Sequence, residues 1–526
     1  MKTRILMLMI LFAGIAASAQ TIEVGGIQTG VWDADTVRVV ADVKVADSLT
    51  IMPGTVVLFD GFYSILVTKG TSFKAQGSED DSIRFTVADT SCFYQYNSGK
   101  GGWNGLEIER ARKVLFDYCV LEYGKAADSL DKFGGALNIR GCEDVEITHS
   151  TLRCNFAREQ GGAIYGINSS VTMEDCRLNG NMVYTEDNTY ALYGGAAQFL
   201  KCDVTMTGME FRANDGSPCI GGALSLDSCS VVLDRSVFVD NLGVNGGGLY
   251  LIRSNHKECK FSNLLFDNNF TYHFGGGFAV ADASPEVSNV LVINNESWGV
   301  SCCGIFFYGQ SSPTLRNCIV YRNYPSLENP QMDTTQMWVW TTDDFAPEFR
   351  NCIVEGGLNY IHSADYIHVF ENNIDEDPLF VDAEHHDFHL QEGSPCRDAG
   401  ATDTPSYVTE GLDLAGFPRV LNERIDIGPY EYSGASVPSH PSDSQRVRLV
   451  GNPLGAKSRI EFDCEMEGTV EVTVYSLTGR EVISKLFSLE KSDSMEIGSM
   501  AERLAPGVYL IEVSGKEEHF TLKAVR

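Results

Sequence analysis

Residues 238–251 read FVDNLGVNGGGLYL: an aromatic residue, an Asn three places on, a short gap, a run of glycines and an apolar stretch. Both markers recur along the chain. The apolar-x-x-Asn marker ends at Asn155, Asn181, Asn214, Asn241, Asn269, Asn295 and Asn323, as LRCN, LNGN, FRAN, FVDN, FDNN, VINN and VYRN. The Gly-Gly-small-apolar marker begins at Gly134, Gly161, Gly194, Gly221, Gly246 and Gly275, with CCGI from Cys302 as a decayed copy. Both advance by about 27 residues, a period that signals stacked repeats.

Inside a unit, stretches such as SSVTMEDCRL and CSVVLDRSVF alternate apolar and polar residues and stop after a few positions. That is the period of a strand, and helical spacing is nearly absent. Three short strands joined by tight turns make one coil of a parallel β-helix, with each strand pairing to its copy one coil up, roughly 4.8 Å away. The Gly pair supplies positive φ and close backbone approach at a corner. The Asn is expected to take the left-handed corner conformation itself and to bond through its amide to the coils above and below. A propeller of this period needs hairpins and aromatic blade signatures, so the solenoid is preferred.

The chain has 526 residues, too many for one ordinary core unless the core is buried rung by rung. Its formal net charge of −31, from 71 acidic against 40 basic residues, repels phosphate backbones and anionic headgroups, so no nucleic-acid or direct lipid binding is expected. With 43% hydrophobic residues the chain is nonetheless rich enough in apolar side chains to fold.

The first stretch, MKTRILMLMILFAGIAASAQ, carries Lys2 and Arg4, an apolar run from Ile5, and Ala17-Ser18-Ala19 before Gln20. It reads as a signal peptide over 1–19 cleaved between Ala19 and Gln20, against the alternative of a retained anchor. No transmembrane segment is expected in the mature chain.

Fifteen cysteines in an exported chain invite a disulfide reading. Their positions favour another. Cys142, Cys202 and Cys229 stand where Ser169 and Ser254 stand in sister repeats, and Cys176 and Cys318 share a slot with Ser150 and Ser236. A slot that alternates Cys with Ser reads as a small buried ladder. Cys302-Cys303 is the adjacent pair to test for a bridge, whose geometry would be strained. No Cys/His spacing resembles a zinc site, and no metal or cofactor is called for.

Upstream, Gly54 and Gly70 punctuate alternating strands in SLTIMPGTVVLFDGFYSILVTKGTSFKAQG, and GWNGLEIE opens a further coil. This region resembles the N-terminal portion of secreted right-handed β-helix proteins of the Bacteroidetes, and the GGA[I/L] and FxxN markers resemble the repeats of chlamydial polymorphic membrane proteins. The resulting expectation is an all-β chain: a right-handed parallel β-helix over 20–376, a closing cap over 377–432, a Ser/Pro linker over 433–445 and a small β-sandwich over 446–526. About a dozen coils would stack to roughly 60 Å.

The cap expectation rests on DPLFVDAEHHDFHLQEGSPCRDAG and DLAGFPRVLNERIDIGPYEY, which break the period and resemble the closing segment after secreted β-helices. His385, His386, His389, Asp382 and Asp387 could be read as a metal cluster, but Phe388 and Leu390 alternate through them as in a strand-turn pattern, and the cap reading is preferred. After the linker SGASVPSHPSDSQ, the pair Asn452-Pro453, the strand VTVYSLTGREV with Gly479-Arg480, APGVYLIEV with Gly507 and Tyr509, and the terminal Lys523 resemble the type IX secretion sorting domain. By resemblance that implies export by the type IX machinery and surface attachment or release. An ordinary β-sandwich adhesion module shares the strand pattern.

β-Helices also host carbohydrate-active enzymes, and fold alone does not decide function. A hydrolase needs converging carboxylates, and a lyase needs a Lys or Arg base beside metal-binding carboxylates. The available acid pairs, Asp80-Asp81 and Asp343-Asp344, lack such companions and read as solvated turn acids. Candidate binding residues lie where the repeat is interrupted between the Asn and the Gly pair. MVYTEDNTYALY, from Met182 to Tyr193, supplies Tyr184, Glu186, Asp187, Asn188, Tyr190 and Tyr193. GKAADSLDKF, from Gly124 to Phe133, supplies Asp131, and the short FAREQ between them supplies Arg158 and Gln160. Inserts at one corner emerge on one edge of a solenoid, and this mixture of tyrosines, carboxylates and amides suits sugar or peptide recognition. Trp338 and Trp340 of MWVW form a second candidate, against burial in an apolar strand. The expected role is an exported, non-enzymatic factor binding a glycan or host protein. The alternatives are a polysaccharide lyase or glycoside hydrolase, or a purely structural surface component.

Overall fold

The computed structural model describes residues 20–127, 133–184, 192–255, 257–298, 303–325, 335–342, 344–421 and 424–432, and, nearer the C-terminus, 447–450, 459–476, 481–501, 503–504, 508–514 and 519–525. One 33-stranded parallel sheet winds from Thr21–Trp32 to Val369–Glu371. Each strand pairs with its copy one coil away: Leu137 with Ile164, Ile164 with Ala197, Ala197 with Leu224, and Leu224 with Leu249. The alternation in the sequence becomes an inward and an outward column. Val204, Val231 and Cys259 fall in register on the inward side, and a continuous apolar core runs from Val24 to Ile361. Phe211, Phe238 and Phe266 stack within it at 4.6 and 4.7 Å.

The Asn marker forms a buried ladder. From Asn155 to Asn295, each backbone N–H and each Nδ2 donates to the Oδ1 of the next Asn at 2.9–3.1 Å, and Asn323 ends the ladder by donating to Gln336 Oε1 at 3.2 and 2.8 Å. The second Nδ2 hydrogen goes to a carbonyl of the preceding coil, as from Asn241 to Phe211. Every donor and acceptor of the side chain is thus satisfied inside an apolar core, which is what makes its burial tolerable. The expected left-handed Asn is corrected here: Cys154, Gly180, Ala213, Asp240, Asn268, Asn294 and Arg322, each one place earlier, carry the positive φ. That turn swings the following Asn inward while leaving its own backbone free to donate to the ladder.

The glycines divide their work. Gly246 has φ +65, whereas a Cβ on Gly247 would lie 2.4 Å from the Gly276 carbonyl oxygen. One residue makes the corner, and the other lets successive coils touch. The Cys/Ser slots also stack: Cys142 N–H donates to Ser169 Oγ, and Cys229 N–H to Ser254 Oγ. The described cysteines, from Cys92 to Cys396, are free.

Two further expectations are corrected. From Lys125 onward a coil has a fourth short side between the Asn and the Gly pair, built from two-residue strands such as Lys125–Ala126, Phe156–Ala157 and Met182–Val183. Residues 377–432 do not close the end of the solenoid. Tyr366, Ile367 and Phe370 pack against the last coil, while Phe380, Phe388, Leu390, Leu414, Ile427 and Tyr430 cover Leu265, Leu291, Ile293, Ile319 and Ile353 on the flank. The reason is that these aliphatic residues point outward and need a cover of their own.

The C-terminal strands Val447–Val450, Arg459–Ser476, Glu481–Glu496, Val508–Ser514 and His519–Val525 form a separate antiparallel sheet over a core that includes Ile460, Val472, Ile511 and Val513.

Candidate functional site

The fourth side carries the candidate edge. Ala157 and Val183 cluster inward with Ala126, Leu192 and Cys219, so their neighbours Phe156, Arg158, Met182 and Tyr184 face the other way, Phe156 fully buried against Phe93 and Ala127. Tyr184 is tied to the coil below by its N–H, 3.2 Å from the Ala157 carbonyl oxygen. Gln160 bridges to Phe133 on one side and Tyr193 on the other, at the corner just before the Gly pair. Arg158 and Tyr184 thus share the short-strand side, while Gln160 and Tyr193 stand at the corner that follows it. Asp131, Glu186, Asp187, Asn188 and Tyr190 lie outside the described residues.

A loop over 88–102, which the repeat analysis did not connect to this edge, completes it. Its Tyr96 ring stacks on Phe156 at 5.0 Å and meets the Tyr184 ring at 4.6 Å, and Tyr94 packs edge-on to Tyr96 at 6.5 Å. Tyr94 and Tyr184 remain 44% and 39% exposed, so the stack ends at the surface in part-exposed rings. Lys125 holds the loop from beneath. Its fully buried ammonium donates to the carbonyl oxygens of Phe93 at 2.6 Å, Gln95 at 3.0 Å and Lys100 at 3.0 Å, and it sits 5.4 Å from the centre of the Phe93 ring. Burial lowers the Lys125 pKa to about 8. Burial likewise pushes the Tyr96 phenol up to about 12, helped by the charge of Asp215 and by Tyr184. The signal in the sequence was the aromatic run Phe93–Tyr96 beside NSGKGGW, but it precedes the first repeat marker and so had no register.

The second candidate occupies strand Met337–Thr341. Met337, Val339 and Thr341 are buried, and Trp338 and Trp340 point outward rather than into the core. Their rings lie 5.8 Å apart and nearly parallel; Trp340 meets Tyr308 at 5.7 Å, and Trp338 meets His362 at 4.3 Å and Phe274 at 5.4 Å. Trp340 is 53% exposed.

The groups weighed for metal or catalytic work fall apart in space. His385 pairs with Asp382, His386 with Asp267 and His389 with Asp387, three separate contacts. Among the described residues no group of three or more His, Cys, Asp or Glu side chains could hold a metal ion. Asp80 and Asp81 are exposed in a turn; Asp343 lies outside the described residues, and Asp344 is exposed. The most enclosed carboxylate of the early coils, Glu122, is committed to Arg84 at 2.6 Å and Arg153 at 2.8 Å. Burial opposes its charge, but the two guanidiniums prevail and lower its pKa.

Comparison with protein families agrees with this architecture. The family described as the right handed beta helix region matches residues 88–287 and 201–374, two overlapping stretches that together span more than half the chain. The chain belongs to the right-handed β-helix family. The secretion system C-terminal sorting domain matches residues 452–525 of this β-helix protein. No curated protein matches it. The sorting domain makes it an exported protein, at the cell surface or secreted, and implies its interaction with the type IX secretion machinery. Among the described residues no helix is long and apolar enough to cross a membrane. Of the sorting-signal residues, Tyr509 and Lys523 lie on paired strands, Tyr509 opposite Ser476 and Lys523 opposite Leu510. Asn452, Pro453, Gly479, Arg480 and Gly507 lie outside the described residues, as does Ala19. Gln20 begins the described chain, its N–H donating to Asp35 at 2.6 Å.

Proposed function

We propose that this exported β-helix is a non-enzymatic binding protein that takes a glycan or a host protein on the edge formed by Tyr184, Tyr193, Arg158 and Gln160. The observation that carries the reading is the stack of Phe156, Tyr96 and Tyr184, which rises out of the core and ends in exposed rings fastened by the buried Lys125. Flat aromatic surface beside amide and guanidinium donors suits ligands that offer both an apolar face and hydroxyl or carbonyl groups. The outward pair Trp338 and Trp340 offers a second surface of the same kind.

Replacing Tyr184 or Tyr94 by Ala is expected to weaken ligand binding by on the order of 1 kcal/mol per ring, read by calorimetry against a glycan and host-matrix panel. Thermal stability should move little, because exposed rings contribute few core contacts. Unchanged binding in both variants refutes the edge. Release of reducing ends or unsaturated uronates from polysaccharides by the purified protein would favour an enzyme instead.

A further inference from the structure

The short-strand side does not end at Tyr184. In register along it stand Phe156, Met182, Asp215, Leu242, Phe270, Glu296 and Tyr324, one per coil. Two places further in the chain, past inward-facing Thr271 and Ser297, come Tyr272 and Trp298. Phe270 meets Tyr272 edge-on at 5.3 Å, and Tyr272 meets Trp298 at 6.3 Å. Trp298 and Tyr324 are 48% and 37% exposed. A second, part-exposed aromatic group thus lies on the same face as Tyr94, Tyr96 and Tyr184, further along the axis. Asp215 sits between the two groups: its charge helps to raise the pKa of Tyr96 on one side and of Tyr272 on the other, in each case after burial.

We infer that this face is one continuous track for a linear, non-acidic polysaccharide lying along the helix axis. The inference rests on the reading of the edge as a binding surface and goes further in naming the ligand class. Width favours a single polymer strand. Among the described residues the face is built from strands of two to five residues, narrower than a protein interface of about 800 Å² per partner calls for. Length fits a polymer as well, since five coil steps from Tyr184 to Tyr324 make roughly 24 Å. Charge disfavours acidic chains: Asp215 stands one coil step past Tyr184 and Glu296 one step before Tyr324, on a chain of formal charge −31, where they repel uronates or sulfates and accept hydrogen bonds from sugar hydroxyls. Rings at Tyr184, Phe270, Tyr272, Trp298 and Tyr324, with Asp215 and Glu296 among them, offer sugar rings stacking faces and their hydroxyls acceptors.

The test uses the full exported chain and neutral oligosaccharides of graded length from glucan, mannan and N-acetylglucosamine series, with alginate and polygalacturonate as acidic controls. Affinity for at least one neutral series should rise with length until the track is filled. Trp298→Ala and Tyr324→Ala should each lower long-chain affinity roughly fivefold while leaving short-chain binding at Tyr184 unchanged, and Trp298→Tyr should restore most of it. Unaltered unfolding temperatures would show that the variants are folded; if Trp298→Ala is not, Tyr324→Ala and the length series still decide. Loss of binding in Tyr184→Ala with no effect at Trp298 or Tyr324 overturns the track and leaves the edge intact. Binding of alginate as strongly as of neutral chains, failure of every neutral series, or capture of a protein ligand alone overturns the ligand class.

Discussion

A single Asn per coil does more for this protein than its polarity would predict. Asn241 donates its N–H and its Nδ2 to Asn269, gives its second Nδ2 hydrogen to the Phe211 carbonyl, and accepts two bonds from Asn214, all at full burial. Replacing it by Ala strands the Asn214 donors and the Phe211 carbonyl in an apolar interior, where each unsatisfied group costs about 1–3 kcal/mol. Asn241→Ala should therefore destabilise the coil by on the order of 3–5 kcal/mol, measured by denaturant unfolding. Asn323→Ala, at the ladder's end, strands the Asn295 donors and the Val292 carbonyl in the same way and should cost about as much, although Gln336 keeps its bonds to Glu355 and the Asn323 carbonyl. The buried role of this Asn was legible in FVDN, because a polar residue repeated at a fixed step from apolar ones must find its partner in the next repeat. Which residue took the left-handed turn was not legible, because Cys, Ala, Asp and Arg all occupy that place and share no chemical mark.

Among elements, the flank segment shows a second Asn column that the period concealed. Asn263, Asn289, Asn317 and Asn351 turn outward at positive φ and donate to residues 399–428: Asn289 to the carbonyls of Asp426 and Gly428, Asn317 to Thr404, and Asn351 to Ala399. Earlier coils place Tyr118, His149 or Asp175 at that corner, over which no such segment lies among the described residues. Beneath the segment Arg419 is fully buried against Glu431 at 2.6 Å, so one internal ion pair organises its turns. Its hairpin, strands Phe380–Asp382 and Asp387–Leu390, is also fastened by His386, whose Nδ1 lies 2.6 Å from the enclosed Asp267 carboxylate. That hydrogen bond raises the His386 pKa; burial opposes it, the Asp267 and Asp240 charges add to it, and Arg212 subtracts. A histidine whose pKa is raised on folding adds stability fully below its unfolded value, near 6.5, and loses it as pH climbs through the raised one. Hydrogen-exchange protection of the Phe388 and Leu390 amides should accordingly fall as pH rises through the neutral range. His386→Asn should flatten that dependence, and an unchanged slope would mean that the pair does not fasten the hairpin.

For the whole molecule, the parallel solenoid and the antiparallel C-terminal sheet share no strand pairing among the described residues, and they serve different ends. The solenoid stacks its own coils, so its folding does not depend on strands from the sorting domain. Deleting 446–526 should leave a β-rich, protease-resistant solenoid that stays inside the outer membrane, shown by cell fractionation and by surface proteolysis of intact cells. Surface display of the truncated chain at the normal level would remove the sorting role.

The sequence by itself determined the repeat, the inward columns, the Gly corners and the address at the C-terminus, because each is written in spacing that local backbone geometry converts directly into structure. The sequence also placed Tyr184 between an Asn and a Gly pair, where the repeat is interrupted. Only the tertiary structure decided which rings meet there. Tyr94 and Tyr96 reach Tyr184 through a loop outside the repeat, pinned by Lys125 to carbonyls some thirty residues away in the chain. Tertiary packing likewise turned Trp338 and Trp340 outward beside Tyr308, and laid 377–432 along the flank instead of across the end. Those outcomes depend on contacts between segments far apart in sequence, which no local period encodes, and on which apolar surface the stacked coils left uncovered.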